Sequence, residues 1–240
     1  MAHQRPQLVN GEYYHVVIRA VGDTAVFETE DDFYRGIFSI YEFNDDKSVN
    51  IFNRRRNRLV EKKKEVSCEV GLHTTIDKRD RFVDVLAFSF MPNHLHLILK
   101  QIKDNGISKF IQKVGTGYAN YFNEKYNRIG HLFNKFRAIH IQNNNQLKNT
   151  FVYVHCNLAS LIEPGWKEGG IKKQKRVIEF LETNKRHSYL DYLGNKNFPS
   201  VTQREFLLGV MGGKKGCKIY VNSWIDHKNE LVGFNDIVLE

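Results

Sequence analysis

Apolar and polar positions change period along the chain in a way that separates strands from helices. From Tyr13 to Val21 they alternate: Tyr14, Val16 and Ile18 fall on one side and His15, Val17 and Arg19 on the other. The segment is rich in β-branched and aromatic residues and reads as a first strand. Past Thr29 the spacing becomes three and four, through Phe33, Ile37, Phe38 and Tyr41, and the cap-type residues between Phe27 and Phe33 mark the start of a helix. Val66 to Val70, Phe82 to Met91 and the apolar stretch through Leu95, Leu97 and Leu99 read as further strands. From Asn105 the helical spacing returns through Ile107, Phe110, Ile111, Val114, Tyr118, Tyr121 and Phe122. Gly115 and Gly117 weaken that helix by up to ~1 kcal/mol each relative to alanine, and such glycines often admit the close approach of something else. A further helix is predicted from Asn145 to Ile162, with Leu147, Phe151, Val154, Leu158 and Leu161 on one face.

Strand, helix, strand, strand and helix in that order predict an α+β fold, a ferredoxin-like antiparallel sheet with helices packed on one face. The pattern does not supply the strand order. Residues 8–163 are expected to form the main domain. Residues 164–240 are expected to form a smaller, basic and largely helical extension, with Thr202-Gln203-Arg204-Glu205 as a capping box and Lys214, Lys215 and Lys218 adding charge. The chain has no internal repeats and no low-complexity linker.

Composition changes this picture mainly through charge. The 240 residues carry Lys+Arg 36 against Asp+Glu 27, a formal net charge of +9, and suit a polyanionic partner such as nucleic acid. Cys68, Cys156 and Cys217 lie far apart, which argues against a disulfide framework and a zinc ribbon. No window approaches the ~20 apolar residues of a membrane span, and Met1 to Asn10 has no apolar run. A cytoplasmic protein with no membrane partner is the expectation. Positive charge is densest at Arg54, Arg55, Arg56, Arg58, Lys62, Lys63 and Lys64, interrupted only by the acid Glu61. Such a run is either a solvated helix face or a phosphate-backbone contact that positions a nucleic acid without reading it.

The candidate chemistry centres on Phe90-Met91-Pro92-Asn93-His94-Leu95-His96-Leu97-Ile98-Leu99-Lys100. In a strand His94 and His96 point the same way while Leu95 and Leu97 point to the other face, so the two imidazoles make half a metal site. Tyr153 and Asn157 lie four residues apart on the last core helix and therefore share a face.

These strings resemble the HUH single-tyrosine transposases of the IS200-like kind, including the relatives associated with repetitive extragenic palindromes. Met91-Pro92-Asn93-His94-Leu95-His96 matches their Met-Pro-Asn-His-x-His, and Tyr153-Val154-His155-Cys156-Asn157-Leu158 is similar to their Tyr-Ile-His-Leu-Asn-Pro. Leu158 stands where proline is usual, so the helix is expected to run on. The opening strand, Tyr118 to Asn123, Gly130 to Phe133 and Arg186 to Gly194 extend the resemblance over roughly residues 12–194, with a looser match at Asn134 to Arg137. It brings His15 toward the site, while the strand pattern alone reads His15 as a half-exposed structural residue.

The resemblance implies that Tyr153 is a nucleophile and that His94, His96 and Asn157 hold a divalent ion, Mg²⁺ or Mn²⁺. The implied activity is a single-stranded DNA transesterase that cleaves and rejoins near hairpins through a 5′-phosphotyrosine, acting as a monomer or homodimer. Tyr118 and Tyr126 stand as alternative nucleophiles. Two other functions fit the same residues: a DNA-hairpin-binding relative without cleavage, and a metal-dependent phosphoesterase.

Overall fold

Four antiparallel strands form one sheet in the order β2-β3-β1-β4 in the computed structural model, which describes residues 6–54, 56–57, 59–60 and 77–227. β1 (Tyr13–Arg19) and β3 (His94–Gln101) lie in the middle, with β2 (Val83–Phe90) and β4 (Arg137–Ile141) at the edges. α1 (Glu30–Glu42) joins β1 to β2 and α2 (Gly106–Lys125) joins β3 to β4. The path β-α-β-β-α-β with this order is the ferredoxin-like arrangement. The predicted strand at Val66 to Val70 lies outside the described residues.

Alternation along the central strands sends Tyr14, Val16, Ile18, Leu95, Leu97 and Leu99 to one face, where they share a buried core with Phe33, Ile37, Phe110, Val114 and Tyr118 of α1 and α2. Thr29 starts α1 as expected, its side chain accepting the Asp32 N–H. The two helices are tied at their ends by the Asp32 carboxylate, which accepts from Tyr121 Oη at 3.0 Å, Lys125 Nζ at 2.8 Å and Tyr126 Oη at 2.7 Å, as well as from Thr29 Oγ1. Burial raises the proton affinity of Asp32, but these donors together outweigh it and hold the carboxyl below its ordinary value.

The opposite face is covered as well, so the expectation of helices on one face only is corrected. α3 (Asn144–Cys156) lies across it, and Leu147, Phe151 and Val154 join Ala87, Ile98 and Ile141 in a second buried cluster. Between the polar His15, Arg19, His94 and His96 of this face, Val17, Ala87 and Ile98 supply the apolar surface that lets a helix seat there. α3 also stops earlier than the predicted Ile162. After Cys156 the chain tightens into a 3₁₀ turn (Asn157–Leu161), in which the Ser160 hydroxyl donates to the Asn157 carbonyl at 2.9 Å.

Further helices follow the 3₁₀ turn: α4 (Trp166–Gly169), α5 (Gln174–Thr183), α6 (Tyr189–Leu193), α7 (Glu205–Val210) and α8 (Gly213–His227). Their connections cover the free edge of β2, which would otherwise expose unpaired backbone groups. The Phe90 N–H donates to Arg186 O at 2.8 Å, the Ser188 N–H to Phe88 O at 3.0 Å and Tyr192 Oη to Leu86 O at 2.7 Å. Gln203 bonds Val85 through both its backbone N–H, at 2.8 Å, and its side-chain oxygen, at 2.9 Å. The predicted capping box therefore does not form: Gln203 is taken by the sheet edge, and α7 begins at Glu205 without a side-chain cap.

The two helix glycines in α2 differ. A Cβ on Gly117 would collide with the Phe43 ring, whereas one on Gly115 would meet nothing closer than Phe133 at 3.9 Å. Gly117→Ala should therefore destabilise by roughly 1–3 kcal/mol through overpacking, and Gly115→Ala should stabilise by up to ~1 kcal/mol through helix propensity. Denaturant midpoints of the two variants check this; equal shifts of the same sign would contradict it.

Candidate metal centre

Pairing of β1, β2 and β3 assembles the site. Val17 lies opposite His96, Arg19 opposite His94, and Ser89 of β2 opposite His96 on its other side. Residues two apart along β1 keep to one face, so His15, His94 and His96 share the face that α3 covers. All three are buried, His15 and His96 completely. His15 is thus not the half-exposed residue expected from the strand pattern, because that pattern carries no information about the helix laid over it.

His94 and His96 are each oriented through Nδ1. His94 Nδ1 is 2.6 Å from Asn93 Oδ1, and an amide oxygen can only accept, so the ring proton sits on Nδ1 and the Nε2 lone pair is left for the site. Asn93 is itself held by the turn, its Nδ2 donating to Asp23 Oδ1 at 3.1 Å. His96 is contacted on both sides, by His15 Nε2 at 3.0 Å from Nδ1 and by Asn157 Nδ2 at 2.7 Å from Nε2. Nothing in the sequence singled out Asn93 for this role; a carboxamide beside the first histidine is the one signal for it.

Asn157 reaches His96 from the C-terminal cap of α3. Its backbone N–H still donates to Tyr153 O, so the four-residue relation holds, while the turn that follows fixes the side chain against β3. Asn157 Oδ1 is buried and has no hydrogen-bond partner, and neither has Ser89 Oγ. A buried amide oxygen left bare beside the His96 imidazole is costly unless an electropositive group satisfies it. Two imidazoles and an amide oxygen fit a divalent cation such as Mn²⁺ or Mg²⁺, which keeps further positions for water or phosphate. Among the described residues no three His, Cys, Asp or Glu side chains converge as a metal-binding group, so the amide oxygen is essential to the candidate set.

Tyr153 lies against one histidine from each central strand, its ring edge-on to His96 at 5.8 Å and to His15 at 5.7 Å between centroids. It is 2% exposed. The other tyrosines lie elsewhere. Tyr118 belongs to the core on the far face of the sheet, its hydroxyl donating to Val26 O, and burial together with the Asp32 charge pushes its phenol far above the ordinary value. Tyr126 donates to Asp32 Oδ2 at 2.7 Å on α2. His155, between Tyr153 and Asn157, turns away from the site: Nδ1 donates to Phe151 O at 2.8 Å and Nε2 accepts from Ser188 Oγ at 2.9 Å. Burial and neighbouring His187 hold it neutral, well below the usual imidazole range.

The basic run does not gather at this centre as far as it is described. Arg54 is paired with Asp45 at 2.5 Å and lies 3.9 Å from Glu42, and Arg56 is exposed. Arg55, Arg58, Lys62, Lys63 and Lys64 lie outside the described residues. Closer cations are Arg19, opposite His94, and Arg137, opposite Val17, both on the histidine face by register.

Residues 39–157 match the model of a family described as Transposase IS200 like. Among solved structures, the chain is similar to one of a REP-associated tyrosine transposase bound to a REP hairpin, at 13% identity and a TM-score of 0.49, covering 83% of this chain and 90% of that one. It is also similar to a bacterial tRNA(His) guanylyltransferase-like protein in complex with ATP, at 10% identity and a TM-score of 0.38, covering 76% of this chain and 72% of that one. Comparison with curated proteins gives no match. No described helix is long and apolar enough to cross a membrane.

A cation that binds only the folded site stabilises it by mass action, about 2.7 kcal/mol at a hundredfold excess over Kd. Mn²⁺ should accordingly raise the unfolding temperature of the wild type, and His94→Ala or Asn157→Ala should remove most of that rise. An equal rise in both variants would place any bound ion elsewhere.

Proposed function

We propose, for a chain that belongs to the IS200-like transposase family over residues 39–157, that it cleaves and rejoins single-stranded DNA near hairpins through Tyr153, with His94, His96 and Asn157 holding Mg²⁺ or Mn²⁺. Family membership makes it a transposase whose chemistry is on DNA. The observation that carries the finer reading is the meeting of two strings some sixty residues apart: Asn157 Nδ2 lies 2.7 Å from His96 Nε2, with the Tyr153 ring packed against the same imidazole.

In this reading Tyr153 Oη attacks the scissile phosphorus. The Oη–P bond forms, the bond from phosphorus to the 3′ oxygen breaks, the phenolic proton is released, and the departing 3′ oxygen takes up a proton. The product is a 5′-phosphotyrosine, which keeps the phosphodiester bond energy, so a later 3′-hydroxyl can reverse the step and join strands without ATP. The cation would neutralise charge developing on the phosphate. His94 and His96 contribute neutral nitrogen donors, Asn157 an oxygen, and Arg19 and Arg137 add positive charge on the same face. Tyr153 serves the histidines of its own chain.

Residues 8–163 carry the chemistry, and the described part of the 164–240 extension braces α3 and the β2 edge. Arg54, Arg55, Arg56, Arg58, Lys62, Lys63 and Lys64 are the proposed phosphate-backbone contacts, with Arg54 leaving its ion pair to make one.

The test is a covalent adduct between protein and a 3′-labelled hairpin oligonucleotide carrying a single-stranded flank, resolved on a denaturing gel. Wild type should form the adduct in Mn²⁺ and lose it in excess chelator. Tyr153→Phe, which removes one oxygen and little packing, should bind DNA and form none. An adduct that survives in Tyr153→Phe and vanishes in Tyr118→Phe or Tyr126→Phe would overturn the assignment. DNA binding without any adduct, or product release without one, would favour a binder or a phosphoesterase instead. In an equilibrium binding titration Arg55→Ala with Arg58→Ala should lower the salt slope by about 0.7 per lost single-strand phosphate contact.

A further inference from the structure

We propose that His15 is a positioning residue for His96: its Nε2 accepts the Nδ1 proton of His96 and so fixes the tautomer in which the His96 Nε2 lone pair faces the site. The inference rests on the reading above in taking His96 as a ligand.

The direction of the hydrogen bonds follows from the groups themselves. Asn157 Nδ2, 2.7 Å from His96 Nε2, can only donate, so Nε2 must accept and the ring proton of His96 must sit on Nδ1. That proton points at His15 Nε2, 3.0 Å away, which therefore presents a lone pair. Both imidazoles are fully buried and lie nearly parallel, 18° between planes with centroids 5.2 Å apart, so bulk water does not compete for this bond. His94 obtains the same result from a different partner, Asn93 Oδ1 at 2.6 Å. The two histidines thus have separate supports, one from the adjacent residue and one from a different strand.

A neutral imidazole suits this position. A carboxylate there would be an uncompensated buried charge before any cation arrives, whereas His15 orients the ring without adding charge. His15 also meets the Tyr153 ring edge-on at 5.7 Å, so its removal has a packing effect that the test must separate from the hydrogen bond. Two substitutions do so. Glutamine can place Oε1 near the position of Nε2 and restore an acceptor, while phenylalanine keeps the ring against Tyr153 and removes it.

The experiment measures Mn²⁺ affinity by electron paramagnetic resonance and, on metal-free protein, the His96 tautomer from its ring nitrogen shifts. Loss of such an outer partner typically weakens metal binding by 10–100-fold. His15→Phe should show a loss of that order and a His96 signal no longer confined to the Nδ1–H form. His15→Gln should keep both within a few-fold of wild type. Wild-type affinity and an unchanged tautomer in His15→Phe would overturn the proposal, as would equal losses in the two variants, which would assign His15 a packing role only. If wild type binds no Mn²⁺, the metal reading fails, and the tautomer measurement alone decides the role of His15.

Discussion

One contact ties the sheet to the helix that crosses it: the amide of Asn157 against the imidazole of His96, 2.7 Å apart and sealed from solvent. It requires α3 to lie flat on the histidine face, which in turn requires that face to be apolar between its polar groups. Val17, Ala87 and Ile98 meet this demand from the sheet, and Leu147, Phe151 and Val154 from the helix. Asn157 caps α3 with its backbone N–H still bonded to Tyr153 O, so its side chain leaves the helix one turn beyond Tyr153. The later helices press on the outer side of α3 and close the β2 edge, so a segment distant in sequence keeps this contact dry.

The sheet divides labour between its faces. Beneath it, aromatic rings and the Asp32 carboxylate with its tyrosine and lysine donors lock α1 to α2. Above it, β1 and β3 display His15, His94 and His96, and α3 lays the Tyr153 phenol against two of them. Because both faces share one backbone, packing on the lower face sets the strand register and thereby the alignment of His94, His96 and His15 on the upper one.

What was legible in the sequence was local. Period-two alternation placed His94 and His96 on one face, and four-residue spacing placed Asn157 beside Tyr153 on one turn. Both relations depend on nearest neighbours along the chain. The strand order was not legible, because pairing β1 between β3 and β4 is a non-local choice. His15 illustrates the limit: alternation put it on the same side as Val17 and Arg19, but its burial and its bond to His96 depend on which strand lies beside it and what lies above it. The capping role expected of Thr202-Gln203-Arg204-Glu205 failed for a similar reason, since an exposed sheet edge took Gln203 first. The ending of the helix at Cys156 was missed because the missing proline at position 158 was read as permission to continue, whereas the following residues close a tighter turn.

The central claim is that two histidines of β3 and the amide at the end of α3 form one cation site beside Tyr153. Crystals of the full chain soaked in Mn²⁺, with diffraction recorded at the manganese absorption edge, test it directly. The account predicts a single strong anomalous peak bounded by His94 Nε2, His96 Nε2 and Asn157 Oδ1. A peak elsewhere, with Asn157 still bonded to His96 and no density between the two histidines, would contradict it.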